Sequence, residues 1–150
     1  MLDHNLTKRE EKFFKVAKAV AKTSTFHRNH LGCCIVYKGV VVSVGCNSER
    51  SHPLQKEYNK RYKNFDTDVY PNKLHAEVHA LSLLLSSKKD IDWSKTSLYI
   101  YRELKNGKPA FSYPCSACSQ LIRDLGISTI YYVNEQGEYT KEKIITFKEK

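Results

Sequence analysis

The hydrophobic pattern alternates between helical and strand periods along the chain. Thr7 followed by Glu10 forms a capping-box pair, and the helix it opens is expected to run to about Lys22. Phe13, Val16, Ala17 and Val20 share one face of that helix. The period then shortens. Cys33–Tyr37 and Val40–Val44 are rich in β-branched residues and flank Lys38-Gly39, which predicts a hairpin whose second strand ends at Asn47. Ser48–Lys73 is polar and aromatic with weak periodicity, and a segment this long reads as a functional loop. Leu74, Val78, Leu81 and Leu85 restore the helical spacing and predict a helix from about His75 to Ser86. Ser97–Tyr101 predicts a third strand, and Arg102–Tyr113 a loop containing Asn106-Gly107. A second helix is expected from about Cys115 to Leu125, stopped by Gly126. Thr129–Val133 predicts a fourth strand, and Glu142–Phe147 a fifth element, strand or helix. Strands alternating with helices imply an α/β fold: a mixed sheet with helices on both faces.

Composition narrows the picture. The 150 residues suit a single domain over 1–150, with room for a substantial core. Hydrophobic residues make up 41% of the chain, which argues against intrinsic disorder. No apolar run approaches about 18 residues, so no membrane span is expected. Met1–Glu11 lacks the apolar segment of a signal peptide. Five cysteines is an odd number, and a reducing, cytoplasmic location is expected. Cys33, Cys34 and Cys46 read as small buried residues. The net charge of +9 favours anionic partners. Its densest stretch, Arg50–Lys63, holds five basic residues against Glu57 and could border a site.

The chemistry is concentrated in two places. His75-Ala76-Glu77 is followed by Pro114-Cys115-Ser116-Ala117-Cys118, with 37 residues between Glu77 and Cys115. This is the H-x-E…P-C-x-x-C arrangement of zinc-dependent nucleobase deaminases. His75, Cys115 and Cys118 offer three ligands to one Zn²⁺ per chain, leaving a fourth position for water. Zinc lowers the pKa of water from about 15.7 to near 7, so a nucleophile is available at neutral pH. Glu77 stands beside the metal without needing to ligate it and can move protons. Both ligand sets fall at predicted helix N-termini, where the dipole favours thiolate. A C-x-x-C alone could be a redox pair or half of a structural zinc site. Those readings leave His75 and Glu77 without purpose, and no second C-x-x-C exists. His79 lies four residues after His75, and a satisfied histidine near the core is its simplest role.

Between about Leu31 and Val133 the chain resembles the cytidine deaminase superfamily, and within it the CMP/dCMP-type deaminases. The resemblance is carried by Gly32-Cys33-Cys34-Ile35-Val36, Val44-Gly45-Cys46-Asn47, Tyr70-Pro71, Leu74-His75-Ala76-Glu77 and Ser112-Tyr113-Pro114-Cys115. Two positions depart from it: Ser48 stands where many dCMP deaminases have Gly, and His79 where many have Asn. The resemblance implies a three-layer α/β/α sandwich with about five strands and assembly into pairs or larger rings. It also implies that Asn47 faces the nucleoside and that the Ala76 N–H meets the base carbonyl. As a loop residue, Asn47 could instead cap its own turn. Tyr113 and Tyr132 could stack on a base, Tyr132 reading more simply as structural. Arg102 could reach a phosphate or lie on the surface.

Four functions fit these residues. A free-nucleotide enzyme converting dCMP to dUMP ranks first, supported by the long Asn47-to-His75 insert. A nucleic-acid editor ranks second, because basic grooves with aromatic platforms hold single strands. A nucleoside deaminase is the alternative if phosphate is not recognised. A non-catalytic zinc module ranks last, since nothing structural requires a carboxylate at Glu77.

Overall fold

A computed structural model describes residues 6–26, 29–62 and 73–144. Helix α1 spans Lys8–Ala21, and its capping box forms as expected: Thr7 Oγ1 accepts from the Glu10 N–H, and the Glu10 carboxylate accepts from the Thr7 N–H. Strands β1 (His30–Tyr37) and β2 (Val40–Cys46) make the predicted hairpin, with Lys38 and Gly39 both at positive φ in the turn. After α2 (Pro53–Tyr62) come α3 (Ala76–Ser86), β3 (Thr96–Glu103) and the two-residue β4 (Pro109–Ala110). Helix α4 (Ser116–Leu125) leads through Gly126, at φ 87°, into β5 (Thr129–Val133), and β6 (Tyr139–Lys143) closes the order.

The sheet runs β2-β1-β3-β5-β6, with β4 paired to the end of β3. Only β3 and β5 are parallel, joined by the α4 crossover; the other pairs are antiparallel. The sheet is mixed, as expected. Both of its faces are covered, so buried residues run almost continuously along the central strands. Cys33, Ile35, Leu98, Ile100 and Ile130 face α3 and α4. Their neighbours Cys34, Val36, Tyr99, Tyr101 and Tyr131 face α1. This is the three-layer arrangement. Among the described residues, no helix is long and apolar enough to cross a membrane.

The structure revises several expectations. The 48–73 segment, read as a loop, contains α2 over Pro53–Tyr62. Its fully buried side chains are Gln55 and Asn59, one turn apart, with Leu54 and Tyr58 only partly buried beside them, so its inward face is half polar and its hydrophobic period weak. Pro53 in its first turn was an available start signal. Helix α1 buries Phe13, Phe14, Ala17 and Ala21, a stripe rotated from the expected Phe13, Val16, Ala17 and Val20. Along α3 the inward residue is Leu84, at 3% exposure, whereas Leu85 is 41% exposed. The last strand lies at Tyr139–Lys143, ahead of the expected Glu142–Phe147, whose final residues fall outside the described ones. It is a lysine-bearing edge strand with no apolar run to mark it. Cys33 and Cys34 are fully buried, but Cys46 only partly.

Two glycines set how deeply the helices seat. A Cβ on Gly32 would lie 2.2 Å from the Ala17 carbonyl oxygen of α1. A Cβ on Gly45 would lie 2.5 Å from the Ala80 nitrogen and 3.0 Å from the Ala76 carbonyl oxygen of α3. These are backbone atoms and cannot swing aside. Gly45→Ala is therefore expected to destabilise the protein. The overpacking cost of about 1–3 kcal/mol exceeds the roughly 0.5–1 kcal/mol a strand gains on losing a glycine. Urea unfolding reads the difference; an unchanged midpoint would mean that α3 is not held at this depth.

Candidate active site

Two helix starts meet at the site. His75 is the N-cap of α3 and Cys115 the N-cap of α4, both in extended backbone conformation with no side-chain capping bond of their own. Each side chain is left to point away from its helix. Cys118 sits one turn into α4 and is fully buried. His75 Nδ1 lies 3.3 Å from Cys118 Sγ and 3.6 Å from Cys115 Sγ. Among the described residues these three form the metal-competent cluster of His, Cys and acidic side chains. Tetrahedral zinc with N and S bonds near 2.05 and 2.3 Å requires N···S separations of about 3.6 Å. The donor set and spacing therefore fit zinc. The Cys115 thiol is brought down to about 3 by hydrogen bonding to Cys118, with burial opposing and His75 adding to the effect. The site thus favours a thiolate.

Glu77 is the second residue of α3 and only 2% exposed. It lines the same cavity, of about 310 Å³, as His75, Ala76 and Cys115. Cys33 lies near it, and its thiol is pushed well above the usual cysteine range, by burial first and by the Glu77 charge second. Cys33 thus stays neutral and does not compete with the ligand thiols.

The other candidates occupy distinct places. Asn47, Tyr113 and Arg102 all line the cavity. Asn47 is 7% exposed and already committed: Oδ1 accepts from Ser24 Oγ at 2.6 Å and from the Leu31 N–H at 2.9 Å. Its Nδ2 donates to the Asn29 carbonyl at 3.1 Å, which uses one of two amide hydrogens. It braces the neighbouring chain and does not cap its own turn. Tyr113 donates to Glu142 Oε2 at 3.0 Å and stands edge-on to Tyr132, with ring centres 4.9 Å apart. Tyr132 supports Tyr113 from behind and is not part of the cavity wall. Arg102 Nη1 donates to the Phe111 carbonyl at 3.2 Å. His79 Nδ1 sits 3.2 Å from both the nitrogen and the oxygen of Cys46, so that histidine is engaged by backbone, outside the ligand cluster.

The basic stretch behaves differently from expectation. Arg50 lines a separate cavity beside His52 and His79. Lys56, Lys60 and Arg61 lie exposed on α2, and Lys63 falls outside the described residues, as does Tyr70-Pro71. Beside Arg102, a second cation reaches the active-site cavity: Lys73, paired with Glu49. Lys73, Phe26 and Phe111 are lining residues that sequence reasoning missed. The adjacent Leu74 N–H donates to the Arg50 carbonyl at 2.8 Å, and this non-local bond places Lys73 at the mouth.

The profile of the cytidine and deoxycytidylate deaminase zinc-binding region matches residues 7–134. The chain belongs to this family. As a deaminase it is a hydrolytic enzyme, and zinc is its cofactor. No curated protein matches it in sequence. Among solved structures it is similar to a dCMP deaminase from the cyanophage S-TIM5. The apo form aligns with TM-score 0.58 and 26% identity over 83% of this chain and 82% of that one. The same enzyme in complex with dCMP and dUMP aligns with TM-score 0.61 and 25% identity over 88% and 85%. A cytidine deaminase from Burkholderia pseudomallei aligns with TM-score 0.62 over 92% and 93%, and its 20% identity speaks for the shared fold.

Proposed function

We propose that this deaminase converts a free cytosine nucleotide, dCMP, to dUMP with release of ammonia. The observation that carries this reading is the arrangement of the cavity. Two of the three zinc ligands, His75 and Cys115, and the carboxylate of Glu77 share it with Lys73 and Arg102, two cations available to a phosphate. The similarity to a cyanophage enzyme bound to dCMP and dUMP supports it. Five reduced cysteines, two of them zinc thiolates in this reading, suit the cytosol.

His75, Cys115 and Cys118 would hold the zinc, which supplies Lewis acidity that activates water. The chain's own groups do the rest. Ala76 is the first residue of α3, so its N–H has no partner within the helix and is available to the base carbonyl. Glu77 takes a proton as water adds to C4 of the base. It passes that proton to the ring nitrogen, then takes the proton of the hydroxyl added at C4 and delivers it to the departing amine. Water is consumed, ammonia leaves and a carbonyl remains. The remaining Asn47 amide hydrogen can meet the sugar, and Tyr113 offers a ring face or edge to the base.

A phosphate held by Lys73 or Arg102 gains charge-assisted hydrogen bonds of about 1.5–3 kcal/mol each. Deoxycytidine is then expected to be a poorer substrate than dCMP by about ten- to a hundredfold in kcat/KM per lost contact. Lys73→Met and Arg102→Met should each shrink that preference. Equal kcat/KM for the two compounds would favour a nucleoside deaminase. One observation favours a different reading: Phe111, 42% exposed, stacks on Tyr113 at the mouth, an aromatic rim of the kind that holds single strands. Reaction with a single-stranded oligonucleotide and with neither small compound would establish the editor in place of the nucleotide enzyme.

A further inference from the structure

We propose that α2 is a clamp across the two ligand-bearing helices, with Gln55 as the positioning residue that holds His75 for the metal. Gln55 is 0% exposed although it carries a primary amide. Burying such a group is unfavourable unless it is hydrogen-bonded, and an apolar side chain would seat the helix more simply. The amide has directed work. Its Nε2 donates to Asn59 Oδ1, one turn along α2, at 2.9 Å. That bond fixes which way the amide faces. Oε1 is thereby turned to the N–H of His75, which it accepts at 3.0 Å. His75 is the N-cap of α3, so this N–H has no acceptor in its own helix.

The other end of α2 reaches the other ligand set. The carbonyl of Tyr62, its last residue, accepts from Ser116 Oγ at 2.8 Å, and Ser116 directly follows Cys115. Midway, Tyr58 Oη donates to Asp124 Oδ2 of α4 at 2.6 Å. One helix from the polar insert is thus bonded to a ligand on α3 and to the neighbour of a ligand on α4. The imidazole and the two sulfurs must converge within a few tenths of an ångström of tetrahedral spacing. The clamp fixes the two backbones from which they project. Hydrogen-bonding partners behind metal ligands typically contribute 10–100-fold to metal affinity.

The inference rests on the zinc reading of the site and not on the choice of substrate, so it is tested without substrate. Zinc affinity of the full-length protein is measured by competition with a chelator, alongside melting curves. Gln55→Met keeps length and apolar packing but removes the acceptor; it should bind zinc about 10–100-fold more weakly. Gln55→Glu keeps an oxygen for the His75 N–H and should bind zinc close to the parent. A role in packing alone predicts the reverse order, because methionine suits a dry interior and a buried carboxylate does not. Parent-like affinity in Gln55→Met, or tighter binding by Gln55→Met than by Gln55→Glu, would overturn the proposal. If Gln55→Met does not fold, Ser116→Ala decides. It removes one exposed hydroxyl at the far end of the clamp and should weaken zinc several-fold, and no change there would equally overturn it.

Discussion

Glu77→Gln should retain zinc and fold while losing several orders of magnitude of turnover. The substitution preserves volume and leaves an amide where the carboxylate stood, so the nearly closed site around Glu77 is not emptied. It removes the one function assigned to that side chain, which is to accept and return a proton. A general acid–base group contributes about 10²–10⁴-fold, and a group used at several successive transfers contributes more. The loss should fall on kcat, with little change in KM, because the missing interaction belongs to the transition state. Ammonia release under saturating substrate, with zinc content measured on the same sample, reads both halves of the expectation. Near-normal turnover with zinc bound would remove Glu77 from the mechanism.

How far this site could be read from the chain depends on what kind of constraint each residue obeys. His75, Cys115 and Cys118 were legible because zinc accepts few side-chain types and helical turns fix their spacing, and Glu77 because it is a carboxylate two residues after one of them. The central strands were legible because both faces are buried, leaving β-branched runs such as Cys33–Tyr37. Helix phase was less so: Phe14 and Leu84 point inward where Val16 and Leu85 were expected, since adjacent apolar residues leave the stripe free to rotate by one position. The helix α2 was hidden because its buried positions are Gln55 and Asn59, which read as polar loop. Its role appears only when Gln55 Oε1 is seen against the His75 N–H, 20 residues away. Lys73 was hidden for the same reason. Its place at the cavity comes from the bridge between Ser48 and Leu74, a contact that no local pattern encodes. Net charge pointed to the wrong residues: Lys56, Lys60 and Arg61 are solvated on α2, while one lysine and one arginine from other segments border the site.

Cys118→Ser should abolish tight zinc binding and, with it, activity. Cys118 Sγ is the sulfur nearer to His75 Nδ1, at 3.3 Å, and it is fully buried. A serine hydroxyl does not ionise at neutral pH, so a thiolate ligand is replaced by a neutral oxygen on a shorter bond. Two strong donors remain, His75 and Cys115, too few for a closed tripod under an open fourth position. Zinc binding also contributes to folding free energy, so the loss has a signature independent of catalysis. The variant should melt near the temperature of chelator-stripped parent protein, and added zinc should no longer raise it. Cys34→Ser provides the matched comparison. Cys34 is equally buried but on the opposite face of the sheet, against α1. It should lower stability through a buried hydroxyl while keeping one zinc per chain. Metal analysis after dialysis against chelator separates the two variants, and full zinc retention in Cys118→Ser would remove Cys118 from the ligand set.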